Sequence, residues 1–374
     1  MVLTNLLIWH FSCPSYYSRV SHNKNNYKLI KRYNPFEIGY RSTVAAISGL
    51  KHCGFIQFEE GGWDRNTKER RWQTRIRPTA KLTELLIGNY SISTATFNDI
   101  DQGQTIILKD DRKVSIPYKD TDKTNRMRKV LTAYNKLLRE STITLPSTDP
   151  EVERVKHKRQ LNLAASRYHR PFNNSSFKLG GRFYGPWWQA VPGDLRKHLK
   201  INGNPTVELD YSAIHIHILY GYEGQDYYKL FPKNDDPYQL PSFGDYERKA
   251  LKYGILIALN VANEAEGIGV IREKLKGEGL YKNGMRIKGI LNKFCDKHPL
   301  ISHYLYSQIG KETQYTDSCV AEYVIKRLTA KGITCLCIHD SFIVEKKHRE
   351  LLEGLMIKGF KANGLKSIPL IKLS

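Results

Sequence analysis

The chain has 374 residues, 40% of them hydrophobic, and its 59 lysine and arginine residues against 37 acidic ones give a formal net charge of +22. This length allows two or three domains, the composition is ordinary for a globular protein, and no stretch approaches the length of a transmembrane helix. So strong a positive charge predicts a polyanionic partner. Nucleic acid is the first candidate, and an anionic membrane surface is the alternative.

The six cysteines show neither the spacing of a zinc site nor a disulfide framework. Cys335 and Cys337 alternate along a predicted buried strand, where they serve as small core residues. The apolar run at residues 6–8 is short and lacks a basic start, so we do not expect a signal peptide. These features predict a reducing, cytoplasmic environment.

The N-terminal region predicts a nucleic-acid-binding module in residues 1–90. Its pattern gives, in order, a helix at 39–50, a strand at 55–58, a polar loop at 63–69, a strand at 72–76 and a helix at 78–86. Helix, strand, basic loop, strand and helix are the layout of a winged helix. Some winged helices bind nucleic acid, and others bind a partner protein.

The loop and returning strand of this module are rich in cations beside Trp63 and Trp72. The cations are Arg65, Lys68, Arg70, Arg71, Arg75 and Arg77. Arginines on a protruding hairpin can contact phosphates and the minor groove. We therefore predict that the arginines bind DNA or RNA, and the alternative is a solvated hairpin that is merely basic.

Residues 91–170 are predicted to form a helical connector. Residues 105–108 and 113–116 predict two strands of a hairpin, with Asp110 and Asp111 at the turn. Residues 122–140 predict an amphipathic helix, because their apolar positions recur every three or four residues.

A glycine-rich and aromatic segment follows at residues 179–192. Glycines there allow the backbone to come close to a ligand or to another strand. Arg182 can reach a phosphate, and Gln189 offers hydrogen bonds beside a tryptophan pair. The segment, with Arg196 just beyond it, predicts a cradle for nucleic acid, and the alternative is a purely structural aromatic cluster.

Two acids then stand at the ends of predicted buried strands. Residues 206–210 form a strand that ends on Asp210 before a helix at 211–220, and Asp340 lies at the turn of a hairpin at 333–345. A buried acid is unfavourable unless it is paired, hydrogen-bonded or bound to a metal. Two carboxylates on neighbouring strands could hold two divalent metals for phosphoryl or nucleotidyl transfer. The alternative is a pair of structural acids.

A predicted helix at 245–260 lies between the two acids in the sequence. Arg248 and Lys252 are four residues apart and share one of its faces, so they could bind a triphosphate or could be solvated. Further helices are predicted at 294–309, 312–329 and 351–360, with a closing strand at 368–373.

Four segments in this order resemble the palm of family A DNA polymerases and of the related single-subunit, phage-type RNA polymerases. Asp210-Tyr-Ser-Ala-Ile is similar to motif A, and His339-Asp340 is similar to motif C. Arg248 and Lys252 are similar to the start of motif B on the fingers helix. The track that precedes motif A is matched by Gly181, Arg182, Gln189, Pro192 and Arg196. The whole chain also resembles phage- and plasmid-encoded proteins of this type.

The resemblance implies an α+β fold: a right-hand polymerase palm with reduced fingers and thumb, beside the N-terminal winged-helix domain. The palm would span residues 171–374 with a fingers insertion at about 221–310, and residues 91–170 would supply the connector or a minimal thumb. The implied function is that of a template-dependent DNA or RNA polymerase of a phage or mobile element. A primase-like enzyme is one form that this function could take. Its partners would be a DNA or RNA template, nucleoside triphosphates and replication proteins, with no membrane.

The same resemblance implies roles for single residues. Asp210 and Asp340 would bind two Mg²⁺ ions, with Mn²⁺ as a substitute, and His339 would orient Asp340 or the primer end or be merely structural. The nucleotide would be bound by Arg248, Lys252, Tyr211, His215 and Asn260. The nucleic acid would be bound by Arg182, Gln189, Arg196 and Gln314.

Four positions depart from the pattern of the DNA enzymes. His215 replaces a glutamate that excludes ribonucleotides, and Ser341 follows His339-Asp340 as in the RNA enzymes. Asn260 replaces a tyrosine, and Leu256 replaces an aromatic residue of the fingers helix. They favour tolerance of ribonucleotides. They also leave open a DNA-binding replication initiator or regulator with an inactive palm, and a metal-dependent nuclease is a third hypothesis.

Overall fold

The structure is a computed structural model that describes residues 2–27, 30–63, 70–92, 104–146, 150–159, 161–163, 165–241 and 243–374. Within these ranges the fold is α+β. The helices are α1 Val2–Ser12, α2 Tyr40–His52, α3 Ala80–Thr83, α4 Asp122–Arg139, α5 Pro150–Arg159, α6 Gly193–Arg196, α7 Ile214–Tyr222, α8 Tyr227–Leu230, α9 Asp245–Ala258, α10 Glu264–Gly277, α11 Ile287–Lys297, α12 Gly310–Ala330 and α13 Arg349–Ala362. The strands are β1 Ser18–Arg19, β2 Ile56–Glu59, β3 Gly62–Trp63, β4 Arg70–Trp72, β5 Arg75–Pro78, β6 Ile106–Leu108, β7 Ile143–Thr144, β8 Arg170–Phe172, β9 Lys200–Ile201, β10 Asn204–Tyr211, β11 Leu336–Ile338, β12 Ser341–Glu345 and β13 Ile371–Leu373. None of the described helices combines the length and the apolar character needed to cross a membrane.

The N-terminal elements surround a small antiparallel sheet of order β1-β5-β2. Side chains of α1, α2 and α3 pack on this sheet around Leu6, Ile47 and Ile76. The predicted strand at 72–76 is divided, because β4 pairs with β3 in a separate ribbon whereas β5 pairs with β1 and β2. The predicted helix at 78–86 is α3, which continues as a π-helical turn over Glu84–Asn89.

The connector contains the predicted helix, a shortened form of the predicted hairpin and one pairing that was not predicted. The predicted helix at 122–140 is α4, whose first turn is capped by the Thr121 hydroxyl. The predicted hairpin at 105–116 is present in reduced form: Lys109 bridges antiparallel to Ser115, and backbone hydrogen bonds run from Asp110 to Val114 and from Ile116 to Leu108. In its turn, Asp110 accepts a hydrogen bond from the Val114 backbone. In addition β6 runs parallel to β8, a pairing that the sequence did not predict. The apolar partner of β6 is therefore a strand some sixty residues away, which local alternation cannot reveal.

The central sheet has the order β11-β12-β10-β9-β7, and β13 pairs with β10 on the side away from β12. All of these pairs are antiparallel. The predicted strand before the first acid, the hairpin around the second and the closing strand are thus confirmed as β10, β11–β12 and β13. Helices α12 and α13 pack on the sheet through a core that includes Leu209, Val320, Phe342 and Met356.

Helices α9, α10 and α11 form a second core with Leu251, Ile271, Leu291 and Phe294. The predicted helix at 294–309 is wrong: α11 ends at Lys297, and a short 3₁₀ helix occupies Pro299–Tyr304. Because a proline ring disfavours helical backbone at the preceding residue, the chain leaves the helix at His298, where φ is −123° and ψ is 56°.

Candidate active site

The two acids lie on adjacent strands where β10 meets the β11–β12 hairpin. Asp210 is in register with Ser341, and Asp340 is the residue before Ser341, in the turn between β11 and β12. His339 forms the other half of this turn in a left-handed conformation, with φ at 61°. Asp340 lies next to the residue paired with Asp210 and repels its carboxylate, so the structure brings the two acids close together.

Neither carboxylate is neutralised within the described part of the chain, where the side chains of Asp210 and Asp340 form no hydrogen bond and no ion pair. Burial, and then repulsion from Asp340 and Glu208, raises the pKa of Asp210 to about 7, although Lys252 and Arg196 act in the opposite direction. Two such carboxylates form a site of unbalanced negative charge. A cation would relieve both the burial and the repulsion.

The donor set suits a hard divalent cation. Among the described residues no group of three or more His, Cys, Asp and Glu side chains could hold a metal ion by itself. Asp210 and Asp340 would therefore supply two oxygen ligands, and water and substrate would supply the others. Mg²⁺ is commonly bound in this way, by one or two carboxylates together with phosphate oxygens.

The raised pKa predicts how Asp210→Asn changes stability with pH. Because the carboxyl binds its proton more tightly in the folded chain than in the unfolded one, the wild-type protein loses stability as the pH rises from about 4 to about 7. The asparagine variant lacks this loss. At pH 8 in chelator we expect it to be more stable by about 1 to 2 kcal/mol, allowing for solvent screening. Urea unfolding at pH 8 and pH 4.5 measures the difference, and equal stabilities at pH 8 would contradict it.

A buried ionic network lies behind Asp340. The Arg182 guanidinium binds both carboxylate oxygens of Asp317, with Nε at 3.1 Å and 2.9 Å from Oδ1 and Oδ2, and its Nη2 lies 3.0 Å from His215 Nε2. His215 Nε2 is also 3.2 Å from Asp317 Oδ2. Burial alone would raise the pKa of Asp317, but Arg182 and His215 outweigh it and lower that pKa. His215 is therefore held by an acid and an arginine within the protein.

A cleft of about 350 Å³ opens beside this network. Its walls include Lys109, His169, Tyr184 and two residues predicted to bind nucleic acid, Arg182 and Gln314. The Tyr184 ring also contacts the His339 ring, with centroids 4.8 Å apart. Tyr184 thus connects the wall of the cleft to the hairpin turn that carries Asp340.

The backbone of this cradle needs glycine at position 181. Gly181 has a φ of +80°, and a Cβ there would overlap the Phe172 ring. Gly203 has a φ of +79° but open space around it. We expect Gly181→Ala to cost about 2 to 4 kcal/mol through backbone strain and overpacking together. Gly203→Ala should cost only the strain, about 1 to 2 kcal/mol. Urea unfolding of the two variants compares them, and equal losses would contradict the clash.

Gln189 and Arg196 were predicted to contact nucleic acid, but their polar groups are used inside the protein. Gln189 donates hydrogen bonds to the backbone oxygens of Phe183 and Cys337, at 2.9 and 3.0 Å. Arg196 binds Glu208 through Nε and Nη2, each at 2.8 Å. Both side chains therefore hold the strands on which the two acids lie.

The predicted nucleotide-binding residues on and just after α9 differ in whether other protein groups already bind their side chains. Lys252 is exposed, makes no ion pair among the described residues, and acts electrostatically on Asp210. Arg248 instead binds Asp236. Asn260, just beyond the helix, donates to the Leu256 backbone oxygen at 2.7 Å. Of the three, Lys252 is the one whose charge is free to meet a ligand.

Tyr211 does not face the acids, which corrects its predicted role in binding the nucleotide. Its side chain is 2% exposed, packs on Phe342 and Phe360, and donates a hydrogen bond to the Met356 backbone oxygen at 2.7 Å. Successive side chains of a strand point to opposite faces, so the residue after Asp210 must point into the core.

His339 lies next to Asp340 in the hairpin turn but forms no hydrogen bond with it. Its Nδ1 is buried and has no hydrogen-bond partner in the described chain. Burial, followed by the charge of Arg182, lowers the pKa of His339. The ring is therefore a neutral group in the hairpin turn at physiological pH.

The N-terminal arginines lie on the strands predicted for the wing. Arg75 binds Glu59 and Arg77 binds Gln57, and both guanidinium groups lie over the Tyr17 ring, at 4.6 and 4.8 Å from its centroid. Arg70 and Arg71 are on β4. Arg65 lies outside the described residues, as does most of the predicted loop.

No family model matches this sequence, and no curated protein matches it. Among solved structures, the chain is similar to the polymerase domain of Pol1 from M. smegmatis, in complex with a DNA primer-template and dNTP. The sequences are 15% identical, the TM-score is 0.34, and the likeness covers 60% of this chain and 51% of that one. The chain thus spans about half the length of that structure, and its function must be argued from its own site.

Two acids near the site were not among the predicted site residues. Asp317 is fully buried on α12 and binds Arg182 and His215, and Glu208 is bound by Arg196 and by the Ser341 hydroxyl. Glu208 alternates with Asp210 on one predicted strand, which places both on the same face. Asp317 lies three residues after Gln314, on the same side of a predicted helix. These two spacings are the sequence signals that could have identified Glu208 and Asp317 as residues near the site.

Proposed function

We propose that this protein is a template-directed nucleotidyltransferase in which Asp210 and Asp340 hold two divalent cations, Mg²⁺ or Mn²⁺. One observation carries the proposal: two unpartnered carboxylates are adjacent on β10 and the β11–β12 turn, and burial with mutual repulsion raises the pKa of Asp210 to about 7. The net charge of +22 supports a polyanionic substrate.

The residues around the acids support a division of roles. Bound cations would lower the pKa of an attacking 3′-hydroxyl and neutralise charge on the leaving pyrophosphate. Lys252 supplies an exposed positive charge for a triphosphate. Arg182 and Gln314 line the adjacent cleft and would position the nucleic-acid strand there. His215, fixed by Asp317 and Arg182, would meet the sugar of the nucleotide and favour ribonucleotide tolerance.

The proposed architecture follows the resemblance to family A polymerases. The central antiparallel sheet with α12 and α13 would be the palm of a domain at residues 171–374, and α9 to α11 would be the reduced fingers. The elements of residues 1–90 would form a winged helix that binds the template, and residues 91–170 would form the connector or thumb. The cluster of arginines around Tyr17 supports the template-binding role.

A second candidate is a DNA-binding initiator or regulator with an inactive palm. It is favoured by the Arg248–Asp236 ion pair and by the internal hydrogen bond of Asn260, since both groups are engaged without a nucleotide. The unpartnered acids oppose this candidate, because two neighbouring half-buried carboxylates repel each other unless a ligand binds them.

The test is an extension assay with purified protein, Mg²⁺ and a 5′-labelled primer on a longer template, with dNTPs or NTPs. Lengthening of the label that depends on the template is the expected result. Shortening of the label would indicate a nuclease. A gel shift without extension, also with Mn²⁺ and without a primer, would support the binding protein and overturn the proposal. The preferred triphosphate reports the role of His215.

A further inference from the structure

A second cleft, larger than the one beside the acids, lies between α4 and α12. It has a volume of about 830 Å³, and we call it the α4–α12 groove. On α12, Tyr315, Cys319 and Tyr323 line this groove, whereas Asp317 is directed at Arg182. At 3.6 residues per turn, Asp317 is on nearly the opposite side of the helix from Tyr315 and Cys319. The groove is therefore on the far side of α12 from the two acids.

The floor of the groove is apolar. Met127, Val130 and Ala133 contribute from α4, and Tyr315 and Tyr323 contribute from α12. Ala133 is exposed, and Val130 and both tyrosines are half-buried. The floor is thus a partly exposed apolar surface, and the Lys123 and Arg327 side chains lie over its Tyr315 and Tyr323 rings. An apolar surface of this kind in a strongly charged protein is typical of an interaction site.

The rim of the groove is basic and lacks acidic partners. Its cations are Lys123, Arg126, Lys129, Lys326 and Arg327. None of them forms a salt bridge with a described residue. Glu322, the one acid among the described residues that line the groove, is bound by the buried Arg170. Lys123 and Arg327 donate to the backbone oxygens of Phe177 and Tyr323. The other three cations of the rim have no side-chain partner among the described residues, so their charge is left for an occupant of opposite sign.

We propose that the α4–α12 groove binds an acidic amphipathic helix of a partner protein. The apolar face of such a helix would cover the floor, and its acidic flanks would meet the cations of both rims, as in other helix-in-groove complexes. The lining residues of α4 run from Lys123 to Ala133, which corresponds to about 15 Å, so this wall of the groove offers room for about three turns.

Nucleic acid is the competing occupant of the groove. The apolar floor distinguishes a nucleic acid from a helix of a partner protein. Phosphates would use the five cations but gain nothing from Val130, Met127 or Ala133. A helix needs both surfaces. Substitutions of the floor and of the rim therefore separate the two kinds of ligand, and neither set touches the residues assigned to the proposed catalytic site.

The experiment measures fluorescence anisotropy of a labelled panel of helical 18-residue peptides. Each peptide has leucine or phenylalanine at i, i+3, i+4 and i+7 and glutamate on its flanks, and scrambled peptides of the same composition are controls. We expect micromolar binding of helical peptides, weakened by salt. Val130→Ala should weaken it about fivefold, because two methylenes' worth of apolar contact is lost. Lys129→Glu and Lys326→Glu should each weaken it about fivefold.

Lys358→Glu is the matched control for charge, since Lys358 is an exposed lysine on α13 outside the groove. It should leave peptide binding unchanged, and all variants should unfold at the wild-type Tm. Two results would overturn the proposal. One is that no helical peptide binds better than its scrambled form. The other is that duplex or single-stranded DNA displaces the peptides while Val130→Ala has no effect, which would make the groove a phosphate site.

Discussion

Asp340→Asn is expected to lower template-directed extension by at least about a hundredfold while the protein stays folded. Asparagine has the shape of aspartate but no charge, and among the described residues no third His, Cys, Asp or Glu side chain joins the two acids in a metal-binding group. The loss of Asp340 also removes the repulsion that helps to raise the pKa of Asp210. The variant should therefore be at least as stable as the wild type at pH 8 and yet inactive.

The control is Asp122→Asn, which makes the same chemical change at an exposed position at the start of α4. It should extend primers at the wild-type rate. A second measurement is the Tm with and without Mg²⁺, which should rise for the wild type and not for Asp340→Asn, because an ion that binds the folded state alone stabilises it. Full activity of Asp340→Asn would show that Asp340 is not a metal ligand.

Asp317→Ala is expected to destabilise the protein by about 3 to 5 kcal/mol, because it leaves the Arg182 guanidinium in the interior without its counter-ion. The Asp317 side chain is fully buried and that of Arg182 is 14% exposed, so water from the adjacent cleft replaces the lost carboxylate only in part. His215 loses its partner in the same step. Urea unfolding at pH 7 measures the change.

Two control variants distinguish the cost of leaving a buried charge unpaired from the cost of breaking an ion pair in general. Glu59→Ala breaks the exposed Arg75–Glu59 pair and should change the stability little. The double variant Arg182→Met, Asp317→Leu removes both charges and should recover most of the stability that Asp317→Ala loses. If the double variant folds but extends primers poorly, Arg182 acts on the nucleic acid. A double variant as unstable as Asp317→Ala would contradict the desolvation argument.

Local patterns carried most of the prediction of the fold. The three- and four-residue spacing of Met127, Leu131, Tyr134 and Leu138 predicted α4 and its buried face, and both are present. Apolar runs interrupted by Asp210 and by His339-Asp340 predicted β10 and the β11–β12 hairpin, also present. The prediction failed where partners are distant in sequence, as for β6 with β8, and where Pro299 ends a helix that the apolar spacing would continue.

The sequence by itself determined the buried face of α4, and it determined that two acids stand at strand ends in a strongly basic chain. Only the tertiary structure decided which polar side chains remain available to a ligand. Arg196 binds Glu208, Arg248 binds Asp236 and Arg182 binds Asp317, whereas Lys252, Asp210 and Asp340 keep no such partner in the described chain. The reason is physical: periodicity of side-chain direction is a local property of the backbone. The partner of a charged group is set by long-range pairing of strands and helices, which periodicity does not encode.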